Sequence, residues 1–471
     1  MKIPHSFPLC LAAFLSACTV GPDFKNPEPP ATKSYTVEKD VLSSDQHIAL
    51  GKQIQAEWWT LFASQSLNDM IKQAIADNYE IAAAKETLAQ AQETVNAESG
   101  GLLPQVGLNG TAGRQKYGVA LFGPSNFTIP PFSYYEVGPS LSWTPDLFGG
   151  TRRGIERQQA LAEYQAHQLD GVYVTLTGNV VALSFTIAAT KAEISAAEQI
   201  IGEDEQTLKL VQEAFHAGSN TKVDILSAQS QLDSDQALLP PLQQQLSVAR
   251  HALSILLGKA PADWTPPDFE MNNFTLPKEL PVSLPSELVR KRPDILASEA
   301  NLHAASAAIG IATANLYPKI TLTANVMQEA LTPGGLFKSA NNAWALAGGL
   351  TQPIFSGGTL AAEKSEAEHA YEAALAQYQQ IILHAFGQVA DALTALQHDS
   401  ESVAAQQQAV DTASASLTLA RKSRQAGNSG LLQIQDAQRK LAEARFGLIR
   451  AQSQRFLDTA QLFVALGGSP L

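Results

Sequence analysis

Only two of the 471 residues are cysteine and only four are methionine. Two cysteines cannot staple a domain of this length, so no disulfide framework carries the fold. Four methionines, Met1 among them, supply little soft-ligand character, and copper is not an expected cargo. Positive charge is also scarce. Lysine and arginine total 32 against 45 acidic residues, a net charge of -13, which repels phosphate and argues against a nucleic-acid partner. No uninterrupted run of 18 apolar residues occurs, so no transmembrane helix is expected. Catalytic signatures are missing as well: there is no glycine-rich phosphate loop, no His-Glu-x-x-His and no Gly-x-Ser-x-Gly, and the nine histidines lack ligand spacing. Neither an enzyme nor a metal site nor a bound cofactor is expected.

What is present begins with an address. Lys2 and His5 precede an apolar core from Phe7 to Leu15, followed by Leu15-Ser16-Ala17-Cys18. This predicts a signal peptide over 1–17. Its ending resembles the bacterial lipobox, whose cysteine becomes the acylated first residue, and Thr19 is not the aspartate that favours inner-membrane retention. Cys18 is the expected lipid anchor, with covalent acyl chains. Pro22, Pro27, Pro29 and Pro30 then predict an extended tether and belt segment over 18–60.

Two heptad stripes dominate the remainder. Leu375, Ile382, Val389, Leu396, Val403, Val410 and Leu417 recur every seventh residue, and Tyr173, Val180, Ile187, Ile194, Ile201, Leu208 and Phe215 do the same. If Thr359 to Gln425 is one helix, 67 residues at 1.5 Å each span roughly 100 Å, far beyond one core, so the stripe must be buried against other long helices. The stripes sit at a constant offset of 209, as from Ile187 to Leu396. Return helices keep that offset, Ile225, Leu232, Leu239, Leu246 and Leu253 mapping onto Ile434, Leu441, Leu448, Arg455 and Leu462, with only Arg455 out of character. This is an internal duplication, with repeats over 61–258 and 294–471 and predicted helical tips at 217–221 and 426–430. Pro240-Pro241 has no counterpart at Ile449-Arg450 and predicts a break in the first return helix alone.

Each copy also holds two segments that alternate with period two. They start at Pro104 and Tyr135 in the first copy, and at Pro318 and Trp344 in the second, and predict β-hairpins over 104–145 and 318–354. Gly- and Pro-containing corners, Pro145 to Thr151 and Pro353 to Thr359, lead each hairpin into its long helix. Seven prolines between Pro261 and Pro293 predict a strap over 259–293 rather than a helix. The fold class expected is α+β: a coiled-coil-like helical barrel continuous with a transmembrane β-barrel, four strands per chain. Four strands cannot close a barrel, so either three chains share twelve strands or two share eight. From pattern alone a soluble sheet fits equally well, and the lipobox favours the membrane.

Gly21-Pro22-Asp23-Phe24, Trp58-Trp59-Thr60-Leu61-Phe62, Arg290-Lys291-Arg292-Pro293-Asp294, the corner Pro353 to Gly358, and Gln433-Ile434-Gln435-Asp436-Ala437-Gln438 together resemble the TolC-like outer-membrane factors. The resemblance spans nearly the whole chain and is closest to the lipoprotein, NodT-type branch. It implies a homotrimer with a twelve-stranded barrel in the outer membrane and a twelve-helix tunnel through the periplasm. Such a tunnel docks a periplasmic adaptor and an inner-membrane pump, here expected to be of the resistance-nodulation-division type. The implied function is passive efflux of small molecules, gated at the periplasmic tips.

By the same resemblance the gate falls on Leu432, Gln433, Asp436 and Arg439, three leucines forming an apolar constriction and three aspartates a carboxylate ring favouring cations. Relatives often carry an acid where this chain has Gln433, and a leucine where it has Gln435, so strong cation selectivity is in doubt. The plainer alternative packs Leu432 in the coil and leaves Asp436 to favour a helix N-terminus. Gly218 and Gly427 mark the tips expected to dock the adaptor, while Thr221 to Asp224 reads as a capping box. A lipid-anchored periplasmic scaffold without a pore, and a duct for protein export, are the competing functions.

Overall fold

The computed structural model describes residues 19–36, 46–118 and 130–468; the signal peptide and Cys18 lie outside them. In chain order the described elements are β1 (His47–Leu50), α1 (Gln65–Asp77), α2 (Tyr79–Ser99), β2 (Gln105–Gln115), β3 (Phe132–Trp143), α3 (Gly150–His216), α4 (Lys222–Gln236), α5 (Leu239–Leu256), β4 (Glu279–Val282), α6 (Pro293–Ala314), β5 (Lys319–Ala330), β6 (Asn342–Thr351), α7 (Thr359–Gln425) and α8 (Leu431–Ala465). They fall into two compact units that ignore the sequence repeat. Among the described residues one comprises 19–27, 87–118, 130–165 and 298–378, the other 28–36, 46–86, 166–297 and 379–468, so each takes chain from both copies.

The long helices follow their stripes. α3 and α7 each run 67 residues, and in α7 Ile382, Val389, Leu396 and Leu417 are buried. The duplication is visible in how helices stop. α3 ends at Gly218 (φ +78°), where Gly218 N–H donates to Phe215 O and Ser219 N–H to Ala214 O, both at 2.9 Å. α7 ends identically 209 residues later: Gly427 (φ +74°) donates to Arg424 O and Asn428 to Ser423 O, again at 2.9 Å. These are Schellman closures, which need a left-handed residue and so favour glycine. Asymmetry arises where the prolines stand. The first return limb is split into α4 and α5 just before Pro240 and Pro241, whereas α8 continues for 35 residues.

In the first unit the strands form one four-stranded antiparallel sheet in the order β2-β3-β5-β6. Two expected hairpins are thereby joined through β3 and β5, with Leu141 opposite Ala324. Register sorts the side chains. Val106 and Leu108 of β2 lie opposite Leu141 and Pro139, Leu322 and Ala324 lie opposite Gly348 and Leu346, and Val326 lies opposite Trp344, all on one face. The other face collects Asn109, Thr111, Ser140, Ser142, Thr321, Thr323 and Asn325. Large residues on the apolar face are open to the surroundings: Val106 is 72% exposed, Trp344 74% and Leu346 77%. Among the described residues, strands β2 and β6 pair on one side only.

The Gly21-Pro22-Asp23-Phe24 motif is explained in the same unit. Buried Arg153 donates to Val20 O (3.2 Å), Gly21 O (3.4 Å) and Asp23 Oδ1 (2.8 Å), and its Nη1 donates to Glu156 at 2.7 Å. Phe24 stacks on His303 with centroids 4.5 Å apart, and His303 meets Glu156 at 3.0 Å. Gly21 takes φ +94° and any Cβ there would stand 2.5 Å from Gly310 Cα, so the crossing of the two backbones requires glycine.

The second unit has an aromatic core. Trp58, Phe62, Phe185, Phe269, Phe274, Phe456 and Phe463 are all buried, Phe185 lying 4.9 Å from Phe62 and 4.8 Å from Phe274. The Trp58 to Phe62 motif is thus a plug made by a short 3-10 helix. Arg292, from the Arg290 to Asp294 motif, donates to Ala465 O at 2.8 Å and to Asp294 and Gln388, which ties the end of α8 to the strap. The strap is not wholly extended: β4 pairs in parallel with β1 of the tether, His47 opposite Glu279, and a single helical turn follows at Pro285–Leu288. Arg455, the one residue that breaks the repeat, turns to this belt and donates to Gln46 Oε1 at 2.9 Å. One helix bears on the expectation that no transmembrane helix occurs: α3 contains a window long and apolar enough to cross a membrane by length and composition, although no uninterrupted apolar run exists. Its apolar residues Val174, Leu176, Val180, Val181, Phe185 and Ile187 are buried within the fold, which accounts for the composition without a lipid phase.

Candidate functional site

The two helical tips stand together in the second unit. Leu431, the first residue of α8, packs into Val211 and Ala228 of the first hairpin, with Leu208 and Ile225 alongside. Behind it, Ile434, Ala437 and Leu441 bury against Leu417 of α7. Polar links reinforce the contact between hairpins: Ser227 donates to Gln435 Oε1 at 3.1 Å, and Arg421 pairs with Glu203 at 2.9 Å. The first tip is held by the expected capping box. Thr221 Oγ1 accepts from Asp224 N–H at 3.3 Å and Asp224 Oδ2 accepts from Thr221 N–H at 2.7 Å. The Thr221 N–H foremost, and then the Thr221 hydroxyl, which donates to Asp224 Oδ2 at 2.8 Å, hold the Asp224 carboxyl below its ordinary range.

With Leu431 and Ile434 turned inward, the helical period turns Leu432, Gln433, Asp436 and Arg439 outward together. All four lie on one exposed face, and Leu432 is 71% exposed. Packing of Leu432 in the coil is therefore ruled out within one chain; Leu431 takes that place. Asp436 sits in the second turn, past the first-turn reach of the helix dipole. The carboxylate is also not alone. Asp436 Oδ2 pairs with Lys440 at 2.7 Å, Asp436 Oδ1 pairs with Arg439 at 2.8 Å, and Arg439 reaches Glu443 at 3.4 Å. Hydrogen bonds from Lys440 first, then Arg439, pull the Asp436 carboxyl below its ordinary value, and the guanidinium is raised in return. Two acids and two bases cancel on this face, so an expectation built on Asp436 alone overstates its negative charge. Lys440 was legible: it follows Asp436 at i+4, the spacing of a helical ion pair.

Gly218 and Gly427 are where expected, each at the left-handed stop of its hairpin, and a Cβ at either would meet nothing within 4 Å. Among the described residues no group of three His, Cys, Asp or Glu is placed to hold a metal. Nothing at the tips resembles a nucleophile with its base. The arrangement offers an apolar side chain, an amide and a balanced charge cluster on one helix face.

Comparison with known proteins gives the site its setting. The sequence profile of the outer membrane efflux protein family matches residues 70–259 and 284–468. The pyoverdine export outer membrane protein OpmQ of Pseudomonas putida is 32% identical over 479 residues, covering 99% of this chain and 98% of that one. The cation efflux system protein CusC of Escherichia coli is 28% identical over 467 residues, 98% of each chain. Among solved structures, the outer-membrane channel OprN superposes with a TM-score of 0.88 at 26% identity, over 96% of this chain and all of that one. The open state of the Neisseria gonorrhoeae MtrE outer membrane channel gives 0.83 at 26% identity, over 96% of this chain and 98% of that one. The match therefore runs along both repeats, through sheet and helical hairpins alike, and the chain belongs to the outer membrane efflux protein family and is an outer-membrane efflux channel component with a periplasmic helical extension.

Proposed function

We propose that three copies of this chain close a twelve-stranded barrel and act as the passive outer duct of a tripartite efflux system. The carrying observation is the sheet: one face apolar and exposed, the other small or polar, and two strands, β2 and β6, each paired on one side only. In lipid an open edge leaves backbone groups unsatisfied at a cost of several kcal/mol each, so β6 of one copy must pair with β2 of the next. Closure by three copies puts the apolar face toward lipid and the Thr, Ser and Asn face toward the lumen. An acylated Cys18 would hold the chain to the outer membrane, with outer-membrane lipid as its partner there. A periplasmic adaptor would dock at the tips around Gly218 and Gly427, and a resistance-nodulation-division pump would supply the substrate.

The gate in this proposal is the exposed face of α8, with Leu432 from three copies as the apolar ring and Gln433, Asp436 and Arg439 lining the approach. Because Asp436 shares its charge with Arg439 and Lys440, the mouth is expected to be weakly selective among ions. Relatives carry names for pyoverdine, cation, solvent and toluene efflux. Such a range suits a duct that leaves cargo choice to the pump, and small molecules are the class proposed here.

Conductance of the purified trimer in a planar bilayer is the direct test. Wild type is expected to conduct weakly and Leu432→Ala to conduct more, because a smaller apolar ring is easier to wet. No conductance from either form would instead favour a lipid-anchored scaffold without a pore.

A further inference from the structure

Each helical hairpin carries one carboxyl set against a second carboxyl from the opposite limb. In the first hairpin Asp204 of α3, only 4% exposed, faces Asp235 of α4 within hydrogen-bonding reach. In the second, Asp399 of α7, half-buried, faces Asp458 of α8. Asp204 Oδ2 and Asp399 Oδ2 are both sealed from solvent and no donor reaches either. Two ionised carboxylates at that spacing repel, and a buried acceptor without a donor is costly; one proton shared between the two acids removes both penalties.

Charged neighbours act on both pairs. Around Asp204 stand Glu203, already paired with Arg421 of α7, and Gln231, whose amide donates to the outer Asp235 oxygen at 2.8 Å. Around Asp399 stand Arg455, which also donates to Gln46, and His398, which also bonds Glu401; both favour the ionised form but are outweighed by burial and by Asp458, while Gln454 donates to both Asp458 oxygens at 3.0 Å. The internal repeat provides a control. At the offset of 209, Asp204 and Asp235 correspond to Ala413 and Ala444, while Asp399 and Asp458 correspond to Thr190 and Ala249. A hairpin of this design therefore packs without either acid, and the two pairs are separate acquisitions at different distances from their tips.

We propose that Asp204–Asp235 and Asp399–Asp458 are proton-binding sites, one per hairpin, and that the bound proton fastens the two limbs of each hairpin to one another. Burial first, then the neighbouring acid, pushes both Asp204 and Asp399 up to about 7 from an ordinary 3.8. A carboxyl whose folded value is raised holds a proton that the open chain has lost. The fastening is therefore complete below about pH 4, weakens as pH rises through the interval up to about 7, and is gone above it.

Hydrogen exchange of the purified full-length protein between pH 5.5 and 8.5, corrected for intrinsic rates, tests this without reference to conduction. Amides of α3 and α4 around Asp204 and Asp235, and of α7 and α8 around Asp399 and Asp458, should lose protection by ~tenfold per pH unit for each pair up to about pH 7, then level off. Asp204→Asn with Asp399→Asn replaces the shared proton by an amide donor and should hold protection high and flat across the range. Should the asparagine forms fail to fold, Asp204→Ala with Asp235→Ala copies Ala413 and Ala444 and should abolish the pH dependence in the first hairpin alone. Flat protection in wild type, or an unchanged slope in the variants, would overturn the proposal. So would full restoration of wild-type protection at pH 8.5 by millimolar magnesium or calcium, which would make the pairs cation sites instead.

Discussion

Phe185→Ala is expected to destabilise the protein by about 3–5 kcal/mol, the largest effect of any single side-chain truncation considered for this chain. Phe185 is fully buried, and its ring stands 4.9 Å from Phe62, 4.8 Å from Phe274 and 5.2 Å from Phe456. Those partners come from the 3-10 helix Trp58–Phe62, the strap and α8, so one cavity loosens three segments at once. None of them can slide inward without breaking its own hydrogen bonds. Thr275 N–H, for example, donates to Phe62 O at 2.9 Å across this junction. Chemical denaturation of the purified protein reads the loss. Phe355→Ala is the control: that ring is 90% exposed, and its removal should change stability by no more than about 0.5 kcal/mol. Equal losses from the two variants would mean that the aromatic cluster is not the centre of the second unit.

Valine at both Gly218 and Gly427 should abolish efflux while leaving the proposed trimer intact. Both glycines take positive φ, +78° and +74°, where a side-chain-bearing residue is penalised by roughly 1–2 kcal/mol. The space around a new Cβ is empty, so the penalty is conformational and stays in the turn. Relief comes by opening the Schellman closure, which frees the last carbonyls of α3 and α7 and shifts the start of α4 and α8. Leu431 and Ser227, which join the two tips, lie within nine residues of these turns and move with them. Efflux of a pump substrate from intact cells and the oligomeric state of the extracted protein are the two readouts. Gly171→Ala and Gly202→Ala, in the interior of α3 with nothing within 4 Å of the new carbon, should instead stabilise slightly. Full efflux from the valine pair would remove the tips from the docking proposal.

Much of this architecture was written in local pattern. Thr359 to Gln425 is one helix because the heptad stripe persists and no proline or glycine pair interrupts it, and both tips fall at the glycines that end the stripes. The strand segments likewise declare themselves by alternation, since a period of two places every second residue on one face. The proposed gate residues came only from family resemblance, which left Leu432 either at a constriction or packed in the coil. Packing against Val211 and Ala228 decides for Leu431 and sends Leu432 outward.

The sequence by itself determined the duplication, the helix lengths, the turn positions and the two-faced strands, because each depends on residues within a few positions of one another. Only the tertiary structure decided that β3 joins β5, that Arg455 reaches Gln46 from 409 residues away, and that Asp204 and Asp399 each meet a second acid. Such pairings are set by how helices and strands are rotated when they pack, and a periodic pattern specifies which face is buried but not which residue of a distant segment lies opposite.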